Sequence, residues 1–194
     1  MSYFGNAGQL LVNVLFGLAM IVILLRIVLQ ACGANFYNPI CQVLHRLTHP
    51  VIGPLKRFIP PMGRIETAAV VLVWVVAMLK FYALGAVGGV IAPLPAIAVA
   101  AVADVISLLL WIGFWALLAG VILSWIPVDN RNPVVPLIYQ ITEPLLTPLR
   151  RLLPDIGIDL SPMIAIIGVQ LARILVVAPL FDLAGKLALS GLGA

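Results

Sequence analysis

Four long apolar stretches dominate the pattern of hydrophobic and polar positions along this chain. They cover residues 10–29, 68–90, 105–126 and 163–181, and few polar side chains interrupt them. A helix of about 20 residues crosses about 30 Å of hydrocarbon. Continuous apolar runs favour helices over alternating strands, and a helix satisfies its own backbone inside lipid. The pattern therefore predicts an all-α integral membrane protein with four transmembrane helices.

The amino-acid composition supports the same class. Of the 194 residues, 63% are hydrophobic and 9% are charged, whereas about 25% of an average soluble domain is charged. This excludes an ordinary soluble enzyme, which needs more polar surface, and a disordered chain, which needs lower hydrophobicity. Residues 1–8 contain no Lys or Arg, so the first stretch is expected to be an uncleaved span, not a signal peptide.

Basic residues are concentrated in the two longer connections. Residues 33–64 contain Arg46, Lys56, Arg57 and Arg64, residues 127–160 contain Arg131, Arg150 and Arg151, and residues 91–103 contain none. Cytoplasmic loops of membrane proteins are enriched in Lys and Arg. We therefore expect both long connections in the cytoplasm and both termini outside, in a bacterial inner membrane. The net charge of +4 then reflects orientation, and no nucleic-acid partner is expected.

The chain contains an internal duplication. Residues 38–67 align without a gap on residues 132–161, at an offset of 94, and nine of the 30 positions are identical. This predicts two tandem helix–loop–helix repeats, residues 1–95 and 96–194. Each repeat has an even number of spans, so we expect the two to share an orientation and to be related by a pseudo-two-fold axis along the membrane normal.

Each long connection carries an amphipathic pattern. After Asn-Pro, the apolar positions Ile40, Val43, Leu44 and Leu47 follow a helical period, and Val134, Leu137, Ile138 and Ile141 repeat it. We expect Thr-x-Pro to break each helix, at Pro50 and at Pro144, and a second short helix with Lys56-Arg57 or Arg150-Arg151 on its polar face to follow. Such helices lie in the membrane interface, with the basic pairs at phosphate level.

The second connection resembles the YggT family of bacterial and plastid membrane proteins. The segment reads LSWIPVDNRNPVVPLIYQITEPLLTPLRRLLPDIGIDLSP. The residues of the family signature are Leu123, Ser124, Trp125, Asn132, Pro133, Glu143, Pro144, Pro148, Arg150, Arg151, Pro154, Asp159, Ser161 and Pro162. Their counterparts in the first repeat include Asn38, Pro39, Pro50, Pro54, Lys56, Arg57 and Pro60. The resemblance covers nearly the whole chain in its duplicated form.

The first repeat departs from this signature. Gln30 stands in place of Ser124, His49 in place of Glu143, Ile65 in place of Asp159 and Ala68 in place of Pro162. We therefore expect any active role of the motif to belong to the second repeat. The resemblance implies a non-enzymatic membrane protein. Relatives are associated with haem attachment in cytochrome assembly, with cell division and nucleoid distribution, or with osmotic tolerance and potassium uptake.

Five polar residues fall in or beside the predicted spans: Arg26, Lys80, Asp104, Gln170 and Arg173. Intramembrane charges are costly and mark functional or paired positions. We expect Arg26 to snorkel to the cytoplasmic face and Lys80 to pair with Asp104. Arg173 lies near the midplane and should face the bundle interior beside Gln170, with Asn13 or Asp104 as a further partner, either in a structural pair or in an ion or solute path.

Other patterns give weaker indications. His45 and His49 are four residues apart, a spacing that could bind a metal or haem on a helix. No further ligand is near them in the sequence. We therefore expect both to be polar surface residues, and we expect no resident cofactor. Cys32 and Cys41 form no disulfide framework. Gly85–Gly89 and Ala116–Gly120 have small-residue spacings that permit close helix contact, between the repeats or between protomers. Trp111, Phe114 and Trp115 form a stripe that suits core or lipid packing.

Three functional hypotheses follow, and the absence of catalytic motifs argues against an enzyme. The first is an assembly or scaffold protein whose cytoplasmic loops recruit membrane or cytoplasmic partners or organise lipid, with Arg150 and Arg151 making acidic contacts while Glu143 and Asp159 shape the loop. The second is a small transport protein in osmotic or potassium homeostasis, built around Arg173 and Gln170. The third is a haem or cytochrome assembly factor. A homo- or hetero-oligomer is compatible with each.

Overall fold

The described part of the chain consists of helices and short connections. The computed structural model describes residues 3–34, 37–63, 65–126, 132–152 and 159–192. Its helices are α1 (Tyr3–Ala31), α2 (Pro39–Leu55), α3 (Thr67–Gly88), α4 (Leu94–Trp125), α5 (Val134–Leu152), α6 (Ser161–Ala172) and α7 (Ala178–Leu192), with a π-helical turn, Arg173–Val177, between the last two. Within these ranges the β-type pairing is one isolated bridge, between Met62 and Ile65.

Within the described residues, four helical segments are long and apolar enough to cross a membrane: Tyr3–Ala31, Thr67–Gly88, Leu94–Trp125 and Ser161–Gly191. They confirm the positions of the four predicted helices and are compatible with a multi-pass membrane protein. Their ends differ from the predicted ones. α4 begins at Leu94, because Pro95 suits a first helical turn and the alanine-rich sequence after it favours a helix. The expected connection 91–103 is therefore only residues 89–93.

Each repeat packs its two spans against each other. α1 contacts α3, and α4 contacts α6 and α7. On α3 the small side chains of Ala69, Val73 and Ala77 recur every four residues and are almost fully buried against Met20 and Leu24 of α1. Small residues let helices approach closely. Outside these seams large apolar side chains are exposed, Leu15 at 65% and Leu175 at 70%, which marks an interaction or lipid surface.

The helices between the spans, α2 and α5, join the two repeats. We call them the platform helices. The Asn38 side chain donates a hydrogen bond from Nδ2 to the Pro133 carbonyl, 2.7 Å away. Beside it, Leu137 of α5 packs into one apolar cluster with Cys41 and Leu44 of α2. α3 also packs on α4. The pseudo-two-fold axis along a membrane normal stays a prediction.

The predicted proline breaks are wrong. α2 continues through Pro50 and Pro54, and α5 continues through Pro144 and Pro148. The prolines of each helix are four residues apart and exposed, so the carbonyls that lose their N–H partner lie on the outer face, where they can be solvated. Packing beyond the prolines then holds the helix together, since Ile52 is completely buried.

The apolar stripe of α2 is only partly covered. The buried positions are Cys41, Leu44, Thr48 and Ile52, whereas three apolar side chains of the neighbouring edge, Val43, Leu47 and Val51, are 53%, 62% and 51% exposed. The predicted stripe therefore includes one core position, Leu44, and two positions of an exposed apolar edge. That edge is the part of α2 suited to lipid contact.

The glycines of the predicted small-residue spacings serve the ends and seams of helices. Gly89 has φ +79° and ends α3, and the Val90 N–H donates to the Gly85 carbonyl at 3.0 Å. A Cβ at Gly85 would lie 2.8 Å from the Val90 carbonyl oxygen. Gly120 faces Ile138 and Thr142 of α5. The first spacing therefore permits a tight helix end, and the second permits packing inside the second repeat.

We predict that Gly85→Ala destabilises the chain by roughly 1–3 kcal/mol, because the added methyl would overlap backbone that has no room to move. The matched control is Gly168→Ala in α6, where a Cβ meets nothing within 4 Å. The control should be neutral or stabilising by up to about 1 kcal/mol. Thermal unfolding of the purified protein in detergent measures both. Equal midpoints for the two variants would contradict the role given to Gly85.

Candidate functional site

A buried cluster of ions joins α1, α2 and α3. Arg26 donates from Nη2 to the Glu66 Oε2 oxygen at 2.7 Å and from Nη1 to the Thr48 hydroxyl. Lys56 pairs with the other carboxylate oxygen of Glu66. The same Thr48 hydroxyl donates a hydrogen bond to the Leu44 carbonyl, 2.7 Å away. Both oxygens of one carboxylate are therefore engaged by cations from two other elements.

The local backbone places each charge of the cluster favourably. Glu66 occupies the N-cap position of α3, where the helix dipole favours an anion, and Lys56 occupies the C-cap position of α2, where it favours a cation. Arg26 and Glu66 are only 7% and 4% exposed. Charges so deeply buried are tolerated when they are paired and hydrogen-bonded. Burial also lowers the pKa of Lys56, and the charge of Arg26 lowers it further.

The expectation that Arg26 snorkels to the surface is wrong, because its guanidinium turns inward to Glu66. Sequence analysis missed Glu66, which lies just outside a predicted span and aligns with Leu160 in the second repeat. A signal was present. Glu66 is the only acidic residue among residues 1–103. Any buried cation of the first repeat therefore has one carboxylate of its own repeat to pair with.

A cavity of about 100 Å³ adjoins the ion cluster. Arg26, Lys56, Glu66, Gln30, His45, Cys41, Leu29, Ala34 and Leu44 line it, and we call it the Arg26 cavity. Burial lowers the pKa of His45, and the nearby basic groups, Arg26 first, lower it further, which favours the neutral imidazole. Burial raises the pKa of the Cys41 thiol, which stays protonated at pH 7. The polar lining is therefore rich in hydrogen-bond donors.

The second repeat has no counterpart of this cluster among the described residues. Gly120 stands where the first repeat has Arg26, and Leu160 where it has Glu66. Thr142, aligned with Thr48, keeps its bond to the carbonyl four residues before it, at 3.0 Å, but faces Gly120. Among the described residues the charged side chains that are buried, Arg26 and Glu66, belong to the first repeat, and the expectation that the second repeat carries any active role of the motif stays a prediction.

Signature residues of the second repeat form a clamp on the protein surface instead. Arg150 bonds from Nε to Asp159 at 3.0 Å and from Nη1 to Glu143 at 3.4 Å. The other oxygen of Asp159 accepts the Ser161 N–H at 2.9 Å and so caps α6. Hydrogen bonds from Ser161 and then the charge of Arg150 lower the pKa of Asp159. This clamp connects the end of α5 to the start of α6, and residues 153–158, the loop whose shape Glu143 and Asp159 are expected to fix, lie outside the described residues.

The remaining motif residues have structural or exposed positions. The Asn38 side chain caps α2 by accepting the Ile40 N–H at 2.9 Å, and Asn132 accepts the Val134 N–H at 3.0 Å. Pro39 and Pro162 begin α2 and α6, Pro133 directly precedes α5, and the exposed Pro60 accepts a hydrogen bond from Thr67. Arg64, Arg131 and Pro154 lie outside the described residues.

The predicted Lys80–Asp104 ion pair is confirmed. Lys80 Nζ lies 2.8 Å from Asp104 Oδ2, and the two side chains are only 13% and 19% exposed. The pair connects α3 to α4, and a hydrogen bond from the Trp74 indole to the Ala98 carbonyl, 3.2 Å, connects the same helices. These bonds therefore hold the first repeat to the second inside the bundle.

Arg173 lies beside Gln170, as predicted, but its further partner is Trp111 and neither Asn13 nor Asp104. Its guanidinium lies over the Trp111 ring, 4.3 Å from the centroid, and donates to Gln170 at 3.2 Å. Asp104 is bound to Lys80, and Asn13 donates to the Gln9 carbonyl on an exposed face. The Nε of Arg173 is buried without a hydrogen-bond partner. Cation–π stacking stabilises a charge that no carboxylate of the described residues reaches.

The aromatic stripe on α4 packs as expected, apart from its contact with Arg173. Trp111 and Phe114 meet edge to face at 5.4 Å, and Trp115 stacks on Trp111 at 6.1 Å. Trp115 is 59% exposed, so this end of the stripe is available to lipid. The stripe borders an apolar groove between α1, α4 and α5.

The histidine pair does not form a metal site with other residues. The rings of His45 and His49 are 5.2 Å apart. Across the described residues there is no group of three or more His, Cys, Asp or Glu side chains that could hold a metal ion. Cys32 and Cys41 are free thiols.

Comparison with known proteins places these features in a family. The family model described as CCB3/YggT matches the chain twice, over residues 6–87 and 99–180, in agreement with the duplication. A protein described as uncharacterised, from the proC 3′ region of Vibrio alginolyticus, is 40% identical over 88% of this chain and 93% of its own length. An uncharacterised protein of Pseudomonas aeruginosa is 40% identical over 93% of each.

A third relative, the uncharacterised protein YggT of Escherichia coli K12, is 35% identical over 96% of this chain and 97% of its own length. No solved structure gives a significant match. The family model therefore supports the repeat architecture of the chain, and the descriptions of the relatives add no activity.

We predict that Glu66→Gln destabilises the protein by roughly 3–5 kcal/mol, because it leaves Arg26 buried without a counter-ion. The matched control is Glu143→Gln, since the ion pair of Glu143 with Arg150 is 45–56% exposed and should contribute about 0–1 kcal/mol. Chemical denaturation in detergent gives both values. The double variant Arg26→Met/Glu66→Met should recover much of the loss. A small effect of Glu66→Gln would show that the cluster does not hold the three helices together.

Proposed function

This chain belongs to the CCB3/YggT family, and we propose that it is a non-enzymatic scaffold of the bacterial inner membrane. Its four apolar helices anchor it, and the platform helices recruit a partner protein with an acidic surface on the cytoplasmic side. One observation carries the proposal. The platform helices are bonded to the rest of the fold at both ends, yet Arg46, Arg57 and Arg151, which lie on or next to them, are exposed and have no ion-pair partner among the described residues.

The outer basic residues differ from those of the ion clusters. Lys56 and Arg150 are paired with carboxylates. Arg46, Arg57 and Arg151 are exposed, and none of the three forms an ion pair with another described residue. Arg46 lies on the side of α2 away from the buried stripe, and Arg57 lies two residues beyond the end of that helix. Charges that do not stabilise the fold are available to a partner and steer its approach.

The rigid support of these charges favours recruitment. α2 is held by the Glu66 cluster at its C-terminal end and by the contact between Asn38 and Pro133 at its N-terminal end. α5 is held by the clamp of Arg150 with Asp159. A pre-organised surface loses less conformational entropy when it binds. The exposed apolar edge of Val43, Leu47 and Val51 would rest in lipid and keep the basic face toward the cytoplasm.

Two other hypotheses have less support. A transport protein would need a polar path between the repeats, but the groove between α1, α4 and α5 is lined by apolar residues such as Leu108, Ile112 and Ile138. Arg173 is occupied by Trp111 and Gln170. A haem-assembly role would need further ligands beside His45 and His49. The scaffold is therefore the function that the geometry favours.

The recruitment proposal predicts that Arg57→Glu/Arg151→Glu reduces partner recovery at least tenfold. A photo-crosslinking amino acid at position 46 reports the contact in living cells, and mass spectrometry identifies the product. The matched control is Lys186→Glu, a charge reversal on α7, away from the platform, which should leave the crosslinks unchanged. An unchanged crosslink pattern in Arg57→Glu/Arg151→Glu would remove the proposal.

The cytoplasmic position of the platform is tested separately. In a Cys32→Ser/Cys41→Ala background, Val90→Cys should react with a membrane-impermeant maleimide added to intact cells, because Val90 is 61% exposed and lies in the connection without basic residues. Arg46→Cys should react only after lysis. The reverse labelling pattern would place the platform outside, against the orientation that the basic residues predict.

A further inference from the structure

The polar lining of the Arg26 cavity is unbalanced toward hydrogen-bond donors. Arg26, Lys56 and Gln30 provide N–H groups, and the neutral His45 ring provides one more. Glu66 is the one carboxylate in the lining, and its two oxygens already bind Arg26 and Lys56. Arg26 has five N–H donors, and two of its nitrogens donate within the cluster. Donor groups of Arg26 and Lys56 are therefore left over.

The charge of the lining has the same bias. Arg26 and Lys56 are cations and Glu66 is the single anion, so the cluster has an excess of one positive charge. Arg26 is buried and Lys56 is 40% exposed. The excess charge is thus shared between a buried guanidinium and a partly exposed ammonium, and it attracts an anion. The cavity is therefore electrostatically suited to an anion.

The types of side chain select the class of anion. A guanidinium presents a planar fork of donors that matches the oxygens of a phosphate, and an ammonium adds a point charge. The cavity volume of about 100 Å³ exceeds the roughly 10–15 Å³ that one water needs. We propose that the Arg26 cavity binds a phosphate group, with Arg26 at its inner end and Lys56 at its mouth.

The position of the mouth allows two sources of that phosphate. Lys56 follows the last turn of α2, and Arg26 lies five residues before the end of α1. In a bilayer this level is where phospholipid phosphates lie, and it is also open to inorganic phosphate from the cytoplasm. The described residues of the second repeat form no equivalent phosphate site, because Gly120 stands in place of Arg26 and Leu160 in place of Glu66. The proposal is thus one phosphate per chain.

Titration of the purified, delipidated full-length protein tests the proposal. The probes are inorganic phosphate and a short-chain phosphatidylglycerol, each compared with sodium chloride at constant ionic strength, and the readout is the thermal unfolding midpoint. We expect a saturable rise that chloride does not give. A rise with inorganic phosphate alone identifies free phosphate as the ligand, and a rise with phosphatidylglycerol alone identifies a lipid headgroup.

Two variants separate the cavity from the general surface charge. Lys56→Gln should weaken the apparent phosphate affinity at least tenfold, whereas Arg57→Gln, the neighbouring exposed residue outside the cavity lining, should leave it unchanged. If Lys56→Gln does not fold, Gln30→Met removes a different donor from the lining and should also weaken binding. No rise with either phosphate probe, or equal losses in Lys56→Gln and Arg57→Gln, would overturn the proposal.

Discussion

The carboxylate of Glu66 holds the first repeat together. Its two oxygens pair with cations from two other elements, Arg26 of α1 and Lys56 at the end of α2, while its own backbone begins α3. In a low-dielectric interior an unpaired ion costs several kcal/mol, so these helices adopt the arrangement that brings the three charges together. Because Asn38 at the other end of α2 binds Pro133, the position set by Glu66 also determines how the second repeat docks.

The duplication preserved the architecture while the buried chemistry diverged. Both repeats keep an asparagine cap, a threonine that bonds back to the carbonyl four residues before it, and two exposed prolines inside the platform helix. At the equivalent of Arg26 the second repeat has Gly120, which lets α4 approach α5 directly. In the first repeat, paired charged side chains therefore connect the span to the platform helix. In the second repeat, close packing at Gly120 connects them. The basic residue shared by both repeats pairs with a buried carboxylate in one and with exposed carboxylates in the other.

The parts of the structure that depend on local hydrophobicity were predictable from the sequence. Four apolar runs predicted four long helices, and the repeat predicted a helix after Asn-Pro in each long connection. The predicted breaks at Pro50 and Pro144 are wrong because tertiary packing outweighs the helix-breaking tendency of proline. Ile52, which follows Pro50, is fully buried and stabilises the helix after the proline. The prediction that Arg26 snorkels is wrong because its position in the span indicates only its distance from water. The position does not indicate which carboxylate lies nearby in the folded protein. Glu66 is 40 residues from Arg26 in the chain, and no local pattern connects them.

Arg173 shows how a half-buried charge in a span can be held without a carboxylate partner among the described residues. It stacks on Trp111, bonds Gln170 and begins a five-residue π-helical turn, Arg173–Val177. A π-turn inserts one extra residue into a helix and rotates every side chain after it. Gln170 lies before that turn, so its placement beside Arg173 follows ordinary helical spacing. The face that α7 presents to α4 is instead set by the turn. The sequence suggests that Arg173, a charge inside a span, is part of a transport path. In the structure it instead begins the π-helical turn that fits α7 against α4.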